Sequence, residues 1–210
     1  MNAPREADGR MADVATGVDD AIDTNHRPPL ISVVIPAWNC ARYLRRALDS
    51  VLAQQYPDDR LDVIVVDDGS TDASPEIVAD YAARDGRVRL LRQSNAGPAA
   101  ARNRGIAAAR GELIAFLDAD DRWAPGKLAA QAARFAANPS LGLVHCGVRF
   151  VNADGAEVHG WVRQTRIARG DILLDFVCDF FLITSAVMLP RQVLDAKLKL
   201  LEGKLELERP

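Results

Sequence analysis

The chain has 210 residues, 49% of them apolar, enough for one sizeable core but not comfortably for two, so one main domain is expected. A formal net charge of −3 excludes a general electrostatic attraction to nucleic acid or anionic lipid, and any anionic ligand has to be held locally. Cys40, Cys146 and Cys178 lack CxxC spacing and suggest neither a disulfide framework nor a zinc knuckle, which fits a reducing cytoplasm.

Residues 1–29 mix Asp, Glu, Arg, Gly and Ala without the apolar run of a secretory signal, and the expectation is a disordered tail. Ile31-Ser32-Val33-Val34-Ile35, closed by Pro36, reads as a buried strand. Leu44, Leu48, Val51 and Leu52 then recur at helical spacing opposite Arg42, Arg45, Arg46 and Asp49, so 41–54 is an amphipathic helix. The unit repeats. Val63 to Val66 is a second strand, followed by the loop Asp67-Asp68-Gly69-Ser70-Thr71-Asp72. Ser74 as N-cap and Pro75 in the first turn open a helix over 75–84. Val88 to Leu91 is a third strand, Gly97-Pro98 opens an alanine-rich helix closed by Gly111, and Glu112 to Leu117 is a fourth strand ending at Asp118-Ala119-Asp120-Asp121.

Apolar strands separated by helices imply an α/β fold with a mostly parallel sheet flanked by helices. Right-handed crossovers put the strand C-terminal ends on one edge, where such sheets bind ligands. Three loops distant in sequence, Pro36 to Asn39, Asp67-Asp68 and Asp118 to Asp121, are therefore expected to open together. Beyond them the pattern is mixed. Leu141 to Phe150 reads as a strand, Asn152 to Gly155 as a turn, Glu157 to Val162 as an antiparallel return, 170–181 as a helix and Thr184 to Leu189 as a strand. Pro190 starts a helical pattern that fades into an atypical tail over 195–210. Ile172 to Leu189 is apolar but interrupted by Asp175 and Asp179, which argues against a membrane span.

Asp118 and Asp120 stand one residue apart at a strand end, where both carboxylates can turn toward one point. Mg²⁺ or Mn²⁺ prefers such oxygens and completes its shell with water and phosphate. The alternative is that strand-end aspartates only cap the loop or stay solvated. Asp67, Asp68, Asp118, Asp120 and Asp121 on one edge would repel one another, and a cation would relieve them. Asp68 has two readings: accepting a hydrogen bond from a base edge, or holding an Asx turn. Gly69 permits a tight turn or a close backbone approach. Trp38 either flanks the base or packs, and Arg102 faces a phosphate, holds an acidic loop or lies on a solvated helix face.

Ser32-Val33-Val34-Ile35-Pro36-Ala37-Trp38-Asn39, Val65-Val66-Asp67-Asp68-Gly69-Ser70-Thr71-Asp72, Ala100-Ala101-Arg102-Asn103 and Phe116-Leu117-Asp118-Ala119-Asp120-Asp121, in this order, closely resemble the family 2 glycosyltransferases. The resemblance is strong over 31–135 and weak to about 194. It implies the GT-A fold: a Rossmann-like, mostly parallel sheet flanked by helices, with a smaller mixed C-terminal part. The domain is expected over 30–194, with a nucleotide-sugar-binding half at 30–135 and a partial acceptor half at 136–194.

By the same resemblance, Pro36, Ala37, Trp38 and Asn39 line the nucleotide, and Asp68 contacts the base. Asp118, Ala119 and Asp120 match the acidic motif, with Asp120 the more direct ligand of Mn²⁺ or Mg²⁺ and Asp118 facing sugar or ribose. Arg102 is counted with the donor site. The activity implied is metal-assisted transfer of a sugar from a nucleotide diphosphate sugar, with inversion, to a glycan or lipid-linked acceptor. The cytoplasm, with peripheral attachment at the inner face of a membrane, is the expected location, and polysaccharide assembly the family-level role.

Inversion needs a general base on the acceptor side. The family's downstream Gly-Gly-Phe-Asp type stretch is not found, and after Leu194 the chain reads Asp195-Ala196-Lys197-Leu198. No base is assigned, and the expectation is a C-terminally truncated member. Asp171, Asp175 and Asp179 share a helical face that reads as solvated, and His145 reads as a core histidine. Phosphoryl-transfer receivers and haloacid-dehalogenase-like hydrolases need acids after the first strand, where Pro36-Ala37-Trp38-Asn39 stands. Sugar nucleotidyltransferases need a glycine-rich basic loop there, and no Walker loop or GxGxxG follows any strand. The competing reading is a nucleotide-sugar-binding module inactive in transfer.

Overall fold

The computed structural model describes residues 27–152, 156–162 and 183–195. The expected helix over 170–181, with Asp171, Asp175 and Asp179, falls outside them, as do most of the expected N-terminal and C-terminal tails. Residues 27–29 differ from the disordered tail expected to include them. The Pro28 carbonyl accepts from Arg60 Nε at 2.7 Å and the Pro29 carbonyl from the Tyr56 hydroxyl at 2.6 Å.

Six strands form the main sheet, in the order β3 (Val88–Arg92), β2 (Leu61–Asp67), β1 (Ile31–Ala37), β4 (Leu113–Phe116), β8 (Val187–Pro190), β5 (Val144–His145). β1 (Ile31–Ala37) and β2 (Leu61–Asp67) are buried along their whole length, as continuous runs of Val and Ile require when both sheet faces are covered. β3 (Val88–Arg92) pairs in parallel with β2, and β4 (Leu113–Phe116) in parallel with β1. Side chains alternate across the sheet. Val33, Ile35, Val63 and Val65 enter one core with Leu44, Leu48 and Val51 of α1 (Ala41–Leu52) and Ile77 and Val78 of α2 (Ser74–Arg84). Val34, Ile64 and Val66 enter the other, under Ala101 and Ile106 of α3 (Pro98–Ala108). The helix sits close: a Cβ on Gly105 would come within 2.3 Å of Val34 Cγ1.

α4 (Lys127–Ala137) joins the first core through Leu128, Ala132 and Phe135, an i, i+4, i+7 stripe that the sequence reading passed over. The single strand expected over 141–150 is two. β5 (Val144–His145) ends the main sheet, whereas β6 (Val148–Val151) pairs antiparallel with β7 (Glu157–Val162) in a separate ribbon. Thr184–Ala186 is a 3-10 turn, and β8 (Val187–Pro190) then inserts antiparallel between β4 and β5.

Two expected caps differ as well. Ser74 lies inside α2, and its hydroxyl accepts from the Cys40 N–H at 3.0 Å instead of capping its own helix. Gly111 does not cap α3. A Cβ there would come within 2.4 Å of the Ser32 nitrogen, so Gly111 lets the chain enter β4 against β1. At that end Ser32 Oγ donates to Asp62 Oδ2 at 2.7 Å and accepts from the Gly111 N–H at 2.8 Å, while Arg89 grips both Asp62 oxygens at 2.8 and 2.9 Å. This buried network ties β1, β2 and β3 together opposite the ligand edge.

Candidate functional site

β1 has β2 on one side and β4 on the other, so the chain leaves the sheet in opposite directions at this point, the place where α/β sheets open a ligand crevice. The three loops expected to meet do meet. Pro36 and Ala37 end β1 in buried positions, and Trp38 beyond them is 58% exposed, so it is not a core packing residue. Asn39 takes a left-handed φ of 48°. Its side-chain oxygen accepts from the Thr71 N–H at 2.8 Å, and its own N–H donates to Ser70 Oγ at 3.0 Å. Asp72 completes the staple by accepting from the Ala41 N–H, at the start of α1, at 3.0 Å. The loop after β2 thus fixes the loop after β1, a role for Ser70 and Asp72 that no spacing in the sequence signals.

Asp67 and Asp68 are nearly inaccessible, at 1% and 3% exposure. Asp67 accepts from the Ser70 N–H and from Arg92 Nε. Asp68 accepts from Gln93 Nε2 at 2.7 Å, the Ala96 N–H at 2.9 Å and the Gly97 N–H at 2.8 Å. Burial pushes the Asp68 carboxyl up, but these three donors outweigh it and hold the group below its ordinary range. Asp68 therefore shapes the 93–97 loop that walls this part of the edge. Gly69 meets both of its expected demands, with φ 75° and a virtual Cβ 2.9 Å from the Asn95 nitrogen.

The acidic loop after β4 is organised differently. Arg102 Nη2 donates to Asp118 Oδ1 at 2.6 Å, so of its three readings the structure has Arg102 holding the acidic loop. Arg102 Nε is buried beside this pair without a hydrogen-bond partner among the described residues. Ala119 is buried under the loop. Asp121 Oδ2 accepts from Ser185 Oγ at 2.5 Å, and burial, with the Asp120 and Asp118 charges, pushes its carboxyl up despite that bond. Burial also pushes the Cys40 thiol up, against its Ser74 contact, and the Asp72 and Asp120 charges reinforce the shift, so the β1 and β4 loops share one electrostatic neighbourhood.

The mutual repulsion expected of five aspartates is thus largely answered by the protein. Asp67, Asp68, Asp118 and Asp121 each have a donor or cation, and Asp120 is exposed with no hydrogen bond or ion pair to another described residue. No group of three or more His, Cys, Asp or Glu side chains among the described residues is arranged to enclose an ion. A hard cation that keeps its waters and binds substrate phosphate needs only one or two carboxylates. Asp120, with Asp118 two residues before it, fits that kind of ion and not a fully protein-caged one.

This edge, on a 3-2-1-4 parallel sheet closed by an antiparallel strand, defines an α/β transferase-type domain of the GT-A fold. The family model described as glycosyl transferase family 2 matches residues 32–195, and the chain belongs to that family. An uncharacterized glycosyltransferase of Nostoc sp. is 43% identical over 116 residues, covering 55% of this chain and 35% of the relative. The mannosyltransferase from Pyrobaculum calidifontis, solved with GDP-Man and Mn²⁺, is 33% identical with a TM-score of 0.52, covering 59% of this chain and 36% of that one. Residues 1–349 of S. aureus TarS share the fold over 80% of this chain, with a TM-score of 0.64 at 23% identity, covering 48% of that chain. The matched part is about a third of the length of the Nostoc and Pyrobaculum proteins. Among the described residues no helix is long and apolar enough to cross a membrane.

Proposed function

We propose that this domain binds a nucleotide diphosphate sugar at the β1–β4 edge and transfers the sugar to an acceptor with inversion, assisted by Mn²⁺ or Mg²⁺. The observation that carries the reading is Asp120, an exposed carboxylate without a partner among the described residues, at the switch point of the sheet. GDP-Man and Mn²⁺ in the Pyrobaculum mannosyltransferase, together with the family, favour a donor of this class.

In this reading Trp38 and Asn39 flank the base from the β1 loop. Asp68 keeps the 93–97 wall in place and offers its remaining lone pair to the base edge. Asp120 and Asp118 hold the cation, whose chemistry when bound is to neutralise charge on the leaving diphosphate. Arg102 holds Asp118 in place through its 2.6 Å hydrogen bond and presents a second positive charge on the diphosphate side.

The experiment is a titration of UDP-, GDP- and dTDP-sugars with and without Mn²⁺, followed by turnover with added acceptors. Metal-dependent binding with turnover is the expected result. Binding without transfer or donor hydrolysis would reduce the domain to a donor-binding module. The reading fails if no nucleotide binds and Asp120→Ala changes nothing.

A further inference from the structure

Ser185 lies 64 residues beyond the acidic loop, in the 3-10 turn that leads into β8, and it touches that loop at three places. Its hydroxyl oxygen accepts from the Asp118 N–H at 3.0 Å. The same hydroxyl donates to Asp121 Oδ2 at 2.5 Å, and its carbonyl accepts from Trp123 Nε1 at 2.8 Å. The residue is 7% exposed. Its surroundings are fixed in turn. Gln131 Nε2 of α4 donates to the neighbouring Ala186 carbonyl at 2.9 Å, and Lys127 Nζ sits 4.0 Å from the centre of the Trp123 ring.

Asp118, Asp120 and Asp121 crowd three carboxylates into four residues. If all three were free to swing, the loop could present several ligand sets, and each would have to be ordered when a cation bound. Ser185 anchors the backbone on one side of Asp120, through the Asp118 N–H, and the side chain on the other, through Asp121. That bond ties Asp121 to Ser185, while Arg102 restrains Asp118. We infer that Ser185 is a positioning residue for the metal-binding carboxylates: one hydroxyl selects which of the three acidic groups faces the donor diphosphate and fixes the loop that presents it. The inference rests on the donor-site reading above.

The size of the effect follows from what outer partners do at metal sites, where their loss costs roughly 10–100-fold in metal affinity. The test uses the full chain, with UDP and GDP as probes, titrated calorimetrically with and without Mn²⁺, and thermal melting of each variant without metal. In Ser185→Ala, the Mn²⁺-dependent part of nucleotide binding is expected to weaken at least about tenfold, while metal-free binding stays at the wild-type level. Ser185→Thr, which keeps the hydroxyl, is expected to restore most of it.

Three results would overturn the inference. If Mn²⁺-dependent binding by Ser185→Ala equals wild type, Ser185 does not set the ligand geometry. If metal-free and Mn²⁺-dependent binding fall together with the melting temperature in both variants, its role is ordinary packing. If the wild-type chain shows no Mn²⁺-dependent binding of either nucleotide, the donor-site reading falls and this one with it, an outcome visible before any variant is made.

Discussion

Arg102 of α3 meets Asp118, at the end of β4, through one Nη2–Oδ1 hydrogen bond of 2.6 Å, with both side chains only partly exposed. The pair joins a helix on one sheet face to the loop that carries the acidic motif. Replacing Arg102 with Met should lower metal-free stability by about 1 kcal/mol, the upper range for a partly exposed pair. The loss should shrink as salt is raised, because added ions screen the repulsion left among Asp118, Asp120 and Asp121. Denaturant melts at low and high ionic strength measure both numbers.

Asp120 gives the opposite pattern. Its carboxylate has no partner among the described residues and two acidic neighbours, so Asp120→Asn should leave metal-free stability unchanged or raise it by a few tenths of a kcal/mol. The same change should remove Mn²⁺-dependent nucleotide binding. A drop in metal-free melting temperature would mean that Asp120 has a structural role instead.

Gly69→Ala should cost about 1–2 kcal/mol for the left-handed backbone alone. The added Cβ, 2.9 Å from the Asn95 nitrogen, also pushes on the 93–97 loop that Asp68 holds. Nucleotide affinity should therefore fall by a similar factor with and without Mn²⁺, in contrast to the metal-selective loss from Asp120. Titrations in parallel distinguish the two.

Asp72 caps α1 from another loop, accepting from the Ala41 and Ser74 N–H groups. Burial pushes its carboxyl up, but those bonds and the Ser74 hydroxyl outweigh it and hold the group below its ordinary value of 3.8. For a depressed carboxyl the contribution is complete above the unfolded value and is lost as pH falls through the lower folded one. Asp72→Ala should thus cost about 1 kcal/mol at neutral pH, as a lost cap does, and the gap between the two proteins should narrow as pH falls below 3.8. Stability curves across that range provide the check.

Lys127 is buried beside Trp123, and desolvation pulls its ammonium down from 10.5 to about 8. Between those values the unfolded chain binds the extra proton, so this group alone makes stability rise with pH there. Cys40 and Cys146, whose thiols burial raises, pull the other way; Cys40 cancels in the difference between wild type and Lys127→Met, which reads the lysine together with its charge coupling to Cys146. Wild type should gain on the variant as pH rises from about 8 to 10.

The parallel sheet was legible because Val33 to Ile35 and Val63 to Val66 are apolar on both faces, a pattern that local sequence carries by itself. The acidic edge followed from strand order. What the sequence could not carry was pairing. Leu141 to Phe150 has one continuous β signal, yet its two halves serve different sheets. α4 was missed because alanines dilute its stripe of Leu128, Ala132 and Phe135. The partners that decide the chemistry of each aspartate, Gln93 for Asp68, Arg102 for Asp118 and Ser185 for Asp121, lie 16 to 64 residues away and have no spacing signature.

β8 has a consequence for biosynthesis. β4 ends at Phe116, but the strand that covers its outer side ends only at Pro190. At about 5–20 residues per second, a ribosome needs several seconds to cross that interval. Throughout it, the nascent sheet carries a bare hydrophobic margin at Leu113 to Phe116, with unpaired amides along the lateral side of β4 that β8 later covers. The chain therefore passes through a sticky adolescence, and chaperone demand or loss to aggregates during expression should be concentrated in that interval.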